Sequence, residues 1–215
     1  MDAGTRRIAW TSAVIHGLIH ASVLLLPTLL PQLQRAFGVS LLAVLGLANA
    51  MYFLFGLAAI PAGYLADRFG SRAVLLAAAG GSAASLLTAA TATTFPMLAV
   101  GLVALGFFAG IYHPSGLSLV SRRVAAGERG RAIGIHGVGG NVGEALAPTW
   151  AALFASQLGW RWGFASAGLL AGACGLLALT LPADRHAHGP ATPATPPRAF
   201  PRAAAVLLES RPLRW

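Results

Sequence analysis

Six apolar stretches, each close to the length that crosses a bilayer, are separated by short breaks that collect nearly all the charge. They cover residues 8–30, 41–64, 73–94, 97–120, 132–157 and 163–181. About twenty apolar residues form a helix that spans the roughly 30 Å hydrocarbon layer. Inside that layer no water bonds to the backbone, so each stretch must close its own hydrogen bonds as a helix. Charged residues are only 10% of the chain, where a soluble domain carries about 25%. The chain therefore reads as an all-α membrane protein with six transmembrane helices. The breaks are short, roughly 2–11 residues, so neighbouring helices should run antiparallel.

All fifteen basic residues are arginine, and their placement orients the bundle. With both ends and the second and fourth breaks in the cytoplasm, that side holds thirteen of them. The other side holds Arg35 and Arg161. Without the C-terminal tail the bias is still eight to two, which predicts that both termini are cytoplasmic. Trp160 and Trp162 fall where an interfacial aromatic belt is expected. The net charge of +9 does not imply nucleic acid, because the arginines form small groups between apolar runs and no basic stripe. Cys174 is the single cysteine, so no internal disulfide can form. The first apolar run is too long for the core of a cleaved signal peptide. Three regions follow: a cytoplasmic start at 1–7, the six-helix bundle at 8–182, and a proline-rich tail at 183–215. The tail's His186 and His188 are read as part of a flexible linker.

Ionisable groups at bilayer depth are costly and point to function. Glu144 is the only acidic residue within a predicted span, about twelve residues into the fifth and so near the midplane. His136, Gly140, Glu144 and Pro148 recur every fourth residue on one helix face, with Asn141 adjacent. His16 and His20 share a face of the first span. His113 precedes Pro114 in the fourth, where the proline should loosen the backbone ladder. These residues (Glu144, His113, His136, Asn141, His16 and His20) are the candidate lining of a solute or proton path. A buried neutral histidine bonded to a carbonyl is the plain alternative for each. Gly139 and Gly143, and Gly106 and Gly110, are small-xxx-small pairs that allow close helix approach. No residue is assigned to a catalytic or metal site, and no cofactor is expected.

The second break, 63–72, is rich in turn residues, with Gly63 and Gly70 enclosing Asp67 and Arg68, and Arg72 following. Asp67 is an acceptor among the donors of Arg68, Arg72 and the start of the next helix. Gly63, Leu65, Ala66, Asp67, Arg68, Gly70 and Arg72 resemble the loop between helices 2 and 3 of major facilitator superfamily transporters. Further on, Tyr112-His113-Pro114, Gly130-Arg131 and the run from Val138 to Gly143 with Pro148 look like helices 4 and 5 of the fosmidomycin-resistance-type branch. The resemblance covers residues 8–183.

This resemblance implies half of a twelve-helix transporter, with an inverted three-plus-three repeat and the path lying between two halves. It implies a gating loop made by Gly63, Asp67, Arg68, Gly70 and Arg72. It implies gradient-driven transport of a small solute across the inner membrane, with proton-coupled export as one form. The partners implied are the lipid bilayer, a small-molecule substrate, H⁺, and a second six-helix half or a second copy. Three departures stand out. Leu102, not arginine, lies four residues before Gly106. His20, not an acidic residue, lies four after His16. Val138, not proline, follows Gly137. A non-transporting membrane scaffold is the alternative function. A rhomboid-type protease is not supported, since no glycine–x–serine–glycine motif occurs and the sixth span has no histidine.

Overall fold

The computed structural model describes residues 1–181, which are almost entirely helical. The helices are α1 (Ala3–Phe37), α2 (Leu41–Phe69), α3 (Ser71–Ala90), α4 (Phe95–Arg123), α5 (Ala126–Gln157) and α6 (Trp160–Gly175). A 3₁₀ segment, Leu176–Thr180, follows α6. Five of these segments are long and apolar enough to cross a membrane: α1, α2, α3, α4 and α6 with its 3₁₀ extension. Helix α5 has the length but not the hydropathy. Its first turns carry Glu128, Arg129 and Arg131, and its middle carries His136, Asn141, Glu144 and many glycines.

The helices run further than the hydropathy pattern predicts. The first was expected to stop near residue 30, before a loop at 31–40, yet α1 continues through Pro27 and Pro31 to Phe37. Each internal proline frees the carbonyl four residues earlier. The carbonyl freed by Pro27, that of Val23, accepts a hydrogen bond from the Tyr52 hydroxyl of α2 at 3.3 Å. A partner on a neighbouring helix is what lets a proline sit inside a buried helix. The expected loop at 63–72 shrinks to one residue. Helix α2 ends at Phe69, α3 begins at Ser71, and Gly70 makes the reversal at φ 86°. A side chain at that φ would be strained. The expected charged loop at 121–131 shrinks to Val124 and Ala125. At the other end Gly159, at φ 92°, makes the turn into α6. Caps are conventional: Asp2, Ser40 and Thr94 accept from backbone N–H groups three residues on. The Thr5 N–H on Asp2, at 2.6 Å, holds that carboxyl below its usual range.

Contacts between termini sort the helix ends into two groups. The α-amino group of Met1 meets Glu128 at 2.5 Å, joining the starts of α1 and α5. Asp67 meets Arg122 at 2.6 Å, joining the ends of α2 and α4. Arg72 donates to the Leu181 carbonyl, joining the start of α3 to the end of the 3₁₀ segment. At the opposite end Phe37 packs on Phe95 and Trp160, and Arg161 donates to the Ala92 carbonyl at 2.7 Å. Of the arginines among the described residues, the eight at positions 6, 7, 68, 72, 122, 123, 129 and 131 lie at the first end. Arg35 and Arg161 lie at the second.

Packing pairs α1 with α5, α2 with α4, and α3 with both α4 and α6. Lipid tails are as apolar as leucine, so burial alone does not drive these contacts; close approach and dispersion do. Both glycine pairs expected to serve this role sit at crossings. A Cβ on Gly143 would run into the Gly17 carbonyl, and one on Gly139 into the Ala13 carbonyl. A Cβ on Gly106 or Gly110 would strike the carbonyl of Met51 or Phe55 on α2. By contrast, a Cβ on Gly134 meets nothing within 4 Å. Gly143→Val should therefore force α1 and α5 apart, costing about 1–3 kcal/mol and lowering the melting temperature in detergent by roughly 2–12 °C. Gly134→Ala should leave it unchanged or slightly raised, and equal melting curves for the two variants would refute the seam.

Candidate functional site: a histidine cluster between three helices

The α1–α5 seam brings polar side chains together midway along both helices. Gly17 abuts Gly139 and Gly143, so His16 and His20 of α1 lie directly over His136, Gly140 and Glu144 of α5. Gly140 is part of the fit, because a Cβ there would come within 2.6 Å of the His16 ring. Helix α4 completes the cluster with Tyr112 and His113.

Hydrogen bonds order the cluster. The His16 Nδ1 lies 2.8 Å from the backbone carbonyl of His136. A carbonyl only accepts, so His16 carries its hydrogen on Nδ1 and leaves the Nε2 lone pair free. His20 Nδ1 lies 2.6 Å from Glu144 Oε1. The two Nε2 atoms of His16 and His20 are 3.0 Å apart. His16 stacks on His136 with ring centroids 4.1 Å apart. His113 meets His16, His20 and Phe55 edge-on, at 5.1, 4.9 and 5.0 Å. Tyr112 is fully buried, stacks on His16, and donates to the Ser12 carbonyl at 2.5 Å. His113 Nε2 and His136 Nδ1 are buried without a hydrogen-bond partner among the described residues.

The cluster is open on one side. Glu144 keeps 48% of its side-chain surface exposed and His20 keeps 20%, whereas His16 and His136 are buried. Beside it, an apolar groove of about 710 Å³ runs between α1 and α5, lined by Trp10, Val14, Leu18, Val138 and Leu146, with Arg131 as its charged residue.

Of the residues singled out for a path, the structure therefore unites His16, His20, His113, His136 and Glu144. Asn141 does not join them. It faces outward on α5, one position past the seam glycine Gly140. The residues expected to form the gating loop make separate contacts. Asp67 pairs with Arg122, not with Arg68 or the start of α3. Arg68 donates to the Tyr64 hydroxyl at 2.9 Å and lies over the Phe69 ring. Arg72 turns to the Leu181 carbonyl. Gly63 lies inside α2 with nothing within 4 Å of its missing Cβ, and Gly70 alone makes the turn. Three participants were not expected from the sequence: Tyr112, Phe55 and Arg122. Tyr112 carried a signal as the neighbour of His113. Arg122 read only as one more positive charge at a helix end.

A family model described as the Major Facilitator Superfamily matches residues 12–215. Over 191 residues the chain is 27% identical to a multidrug resistance protein B homolog of Mycobacterium tuberculosis, covering 87% of this chain and 35% of that one. Over 138 residues it is 28% identical to an uncharacterized MFS-type transporter of the same organism, covering 64% of this chain and 23% of that one. The chain thus spans about a quarter to a third of the length of these curated relatives. Its fold is similar to an inward-open xylose transporter of E. coli, with a TM-score of 0.73 at 17% identity, covering 83% of this chain and 48% of that one. It is also similar to a peptide transporter solved with alafosfalin, with a TM-score of 0.70 at 18% identity, covering 82% and 38%. The relatives and the fold are those of transporters, not of enzymes. The chain is a multi-pass membrane protein and belongs to the Major Facilitator Superfamily.

Proposed function

We propose that this chain supplies the N-terminal six-helix half of a gradient-driven transporter for a small solute, seated in the inner membrane. The observation that carries this reading is the cluster itself. Four histidines and a carboxylate, drawn from three helices, meet in the interior of an apolar bundle, and Glu144 remains open on the α1–α5 face. A second half, or a second copy, laid against that face would enclose a polar chamber at mid-depth. Proton-coupled export is the mode we favour, in keeping with the multidrug resistance relative and the motif likeness to the fosmidomycin-resistance-type branch. Glu144, His16, His20, His113 and His136 would line the path, with Asn141 facing the same chamber from the outer side of α5.

All six helices cross the bilayer in this reading, α5 included, because its polar residues face the chamber or helix α1. Helix pairing supports an inverted three-plus-three repeat. Exchanging α1 with α4, α2 with α5 and α3 with α6 turns the α1–α5 pair into the α4–α2 pair, which is the other tight glycine crossing. The arginine-rich end is cytoplasmic, by the positive-inside rule. There the Asp67–Arg122 bridge ties the ends of α2 and α4 and acts as a gate, with Gly70 making the turn, Arg68 and Arg72 flanking it, and Gly63 on the last turns of α2 before it. Residues 1–7 are the start on that side; the connecting segment expected at 183–215 lies outside the described residues.

Two measurements test this. In a full-length transporter context, Glu144→Gln and Asp67→Asn should each reduce solute flux in vesicles at least tenfold while insertion stays normal. Unchanged flux in both would remove the assignment. In a Cys174→Ser background, single cysteines at Ala125 and at Gln157, both exposed, should react with impermeant reagents from opposite faces of the membrane. Labelling of both from one face would overturn the topology.

A further inference from the structure

Two hydrogen bonds at the rim of the cluster decide what its centre can hold. The His136 carbonyl takes the Nδ1 hydrogen of His16 at 2.8 Å. The Glu144 carboxylate stands 2.6 Å from Nδ1 of His20 and, as an acceptor, takes that hydrogen. Each neutral ring then has its lone pair on Nε2. Those two Nε2 atoms face one another at 3.0 Å, which is repulsive unless a positive species lies between them. The third imidazole, His113, has a buried Nε2 with no hydrogen-bond partner among the described residues. The ligand nitrogens of His16, His20 and His113 all lie within 4.8 Å of one another. A proton answers two lone pairs and leaves the third unmet. A metal ion answers all three.

We propose that His16, His20 and His113 form a three-nitrogen site for a divalent transition-metal ion of the zinc, cobalt or nickel class. Imidazole is a favoured ligand for these ions. Bonds of about 2.0–2.1 Å to zinc in tetrahedral geometry put neighbouring nitrogens roughly 3.3 Å apart. The His16–His20 pair is already near that spacing, and the His113 ligand nitrogen lies within 4.8 Å of both. The surroundings match what ligating histidines require. Each of the two α1 ligands gives its other ring hydrogen to an oxygen, one to a carbonyl and one to a carboxylate, which sets tautomer and orientation. Glu144 is thus a positioning residue. Three protein ligands would leave a fourth coordination place for water or a solute donor. His136 contributes its backbone carbonyl and its stacked ring, but no ligand atom.

This inference goes beyond the transport reading and does not depend on it, since it is read by binding alone. The chain is purified in detergent through an affinity tag free of histidine and titrated with Co²⁺. Visible d–d absorption of four-coordinate, nitrogen-ligated cobalt should saturate at one equivalent, and Zn²⁺ should bleach it. His20→Ala and His113→Ala should each weaken binding at least tenfold with helical circular dichroism retained. Glu144→Ala should weaken it about 10–100-fold, the usual effect of removing an orienting partner. Glu144→Gln, which keeps an acceptor oxygen, should restore most of that loss. The tail variant His186→Ala/His188→Ala should bind as the parent does. No stoichiometric cobalt spectrum, a spectrum untouched by His113→Ala, or one abolished by the tail variant would overturn the site. Should His113→Ala fail to fold, His113→Gln serves in its place, and parent-like affinity in that variant would overturn it equally.

Discussion

The contact on which the rest depends is the meeting of two backbones, α1 and α5, at Gly17, Gly139 and Gly143. Nothing hydrophobic in the ordinary sense holds them together, since lipid offers each helix as good an apolar solvent as the other helix does. What the glycines provide is proximity. With no Cβ between them, carbonyl and Cα surfaces touch directly, and many weak dispersion contacts add up. Proximity also has a chemical consequence. It lowers His16 onto the His136 carbonyl and His20 onto Glu144, while Gly140 leaves room for the imidazole. A helix pair one methyl group further apart would keep its polar side chains, but they would face lipid unpaired.

The same solvent explains why the polar groups are so closely interlinked. At bilayer depth a donor or acceptor without a partner cannot turn to water. The Val23 carbonyl freed by Pro27 is met by Tyr52. The Tyr112 hydroxyl, fully buried, reaches the Ser12 carbonyl. Ser22 and Thr28 donate back to carbonyls four residues earlier. Six buried side-chain atoms among the described residues lack a partner, and two of them, His113 Nε2 and His136 Nδ1, lie together in the histidine cluster.

At the helix ends a different rule applies. There water is near, and exposed ion pairs such as Asp67–Arg122, more than half exposed on both sides, contribute little stability of their own. Their use is geometric: the bridge ties the ends of two helices that are not consecutive in the chain. Meanwhile α2 and α5 turn large apolar side chains outward, among them Phe53, Ile60, Val138 and Leu146. In water such surface would be a liability; for a membrane helix it is the expected contact with lipid or with another bundle.

Much of this was legible in the residues alone, because lipid makes a strict demand on composition. Long apolar runs must be helices, arginines must gather at their ends, and small-xxx-small glycines must lie at crossings. The turn signature around Asp67, with its neighbours, sufficed to suggest the superfamily. Helix limits were less legible, since hydropathy marks where a chain leaves oil, not where its hydrogen bonds stop; hence α2 runs on to Phe69 and α5 begins at Ala126. Spacing put His16 with His20 and His136 with Glu144, as intervals of four and eight residues on a helix do. Only the tertiary structure decided that the two pairs face each other, that His113 joins them and Asn141 does not, and that Asp67 takes Arg122 in place of its sequence neighbours. Those outcomes depend on which helix faces cross and at what depth, and the glycine seams set both through backbone contacts between segments far apart in the chain.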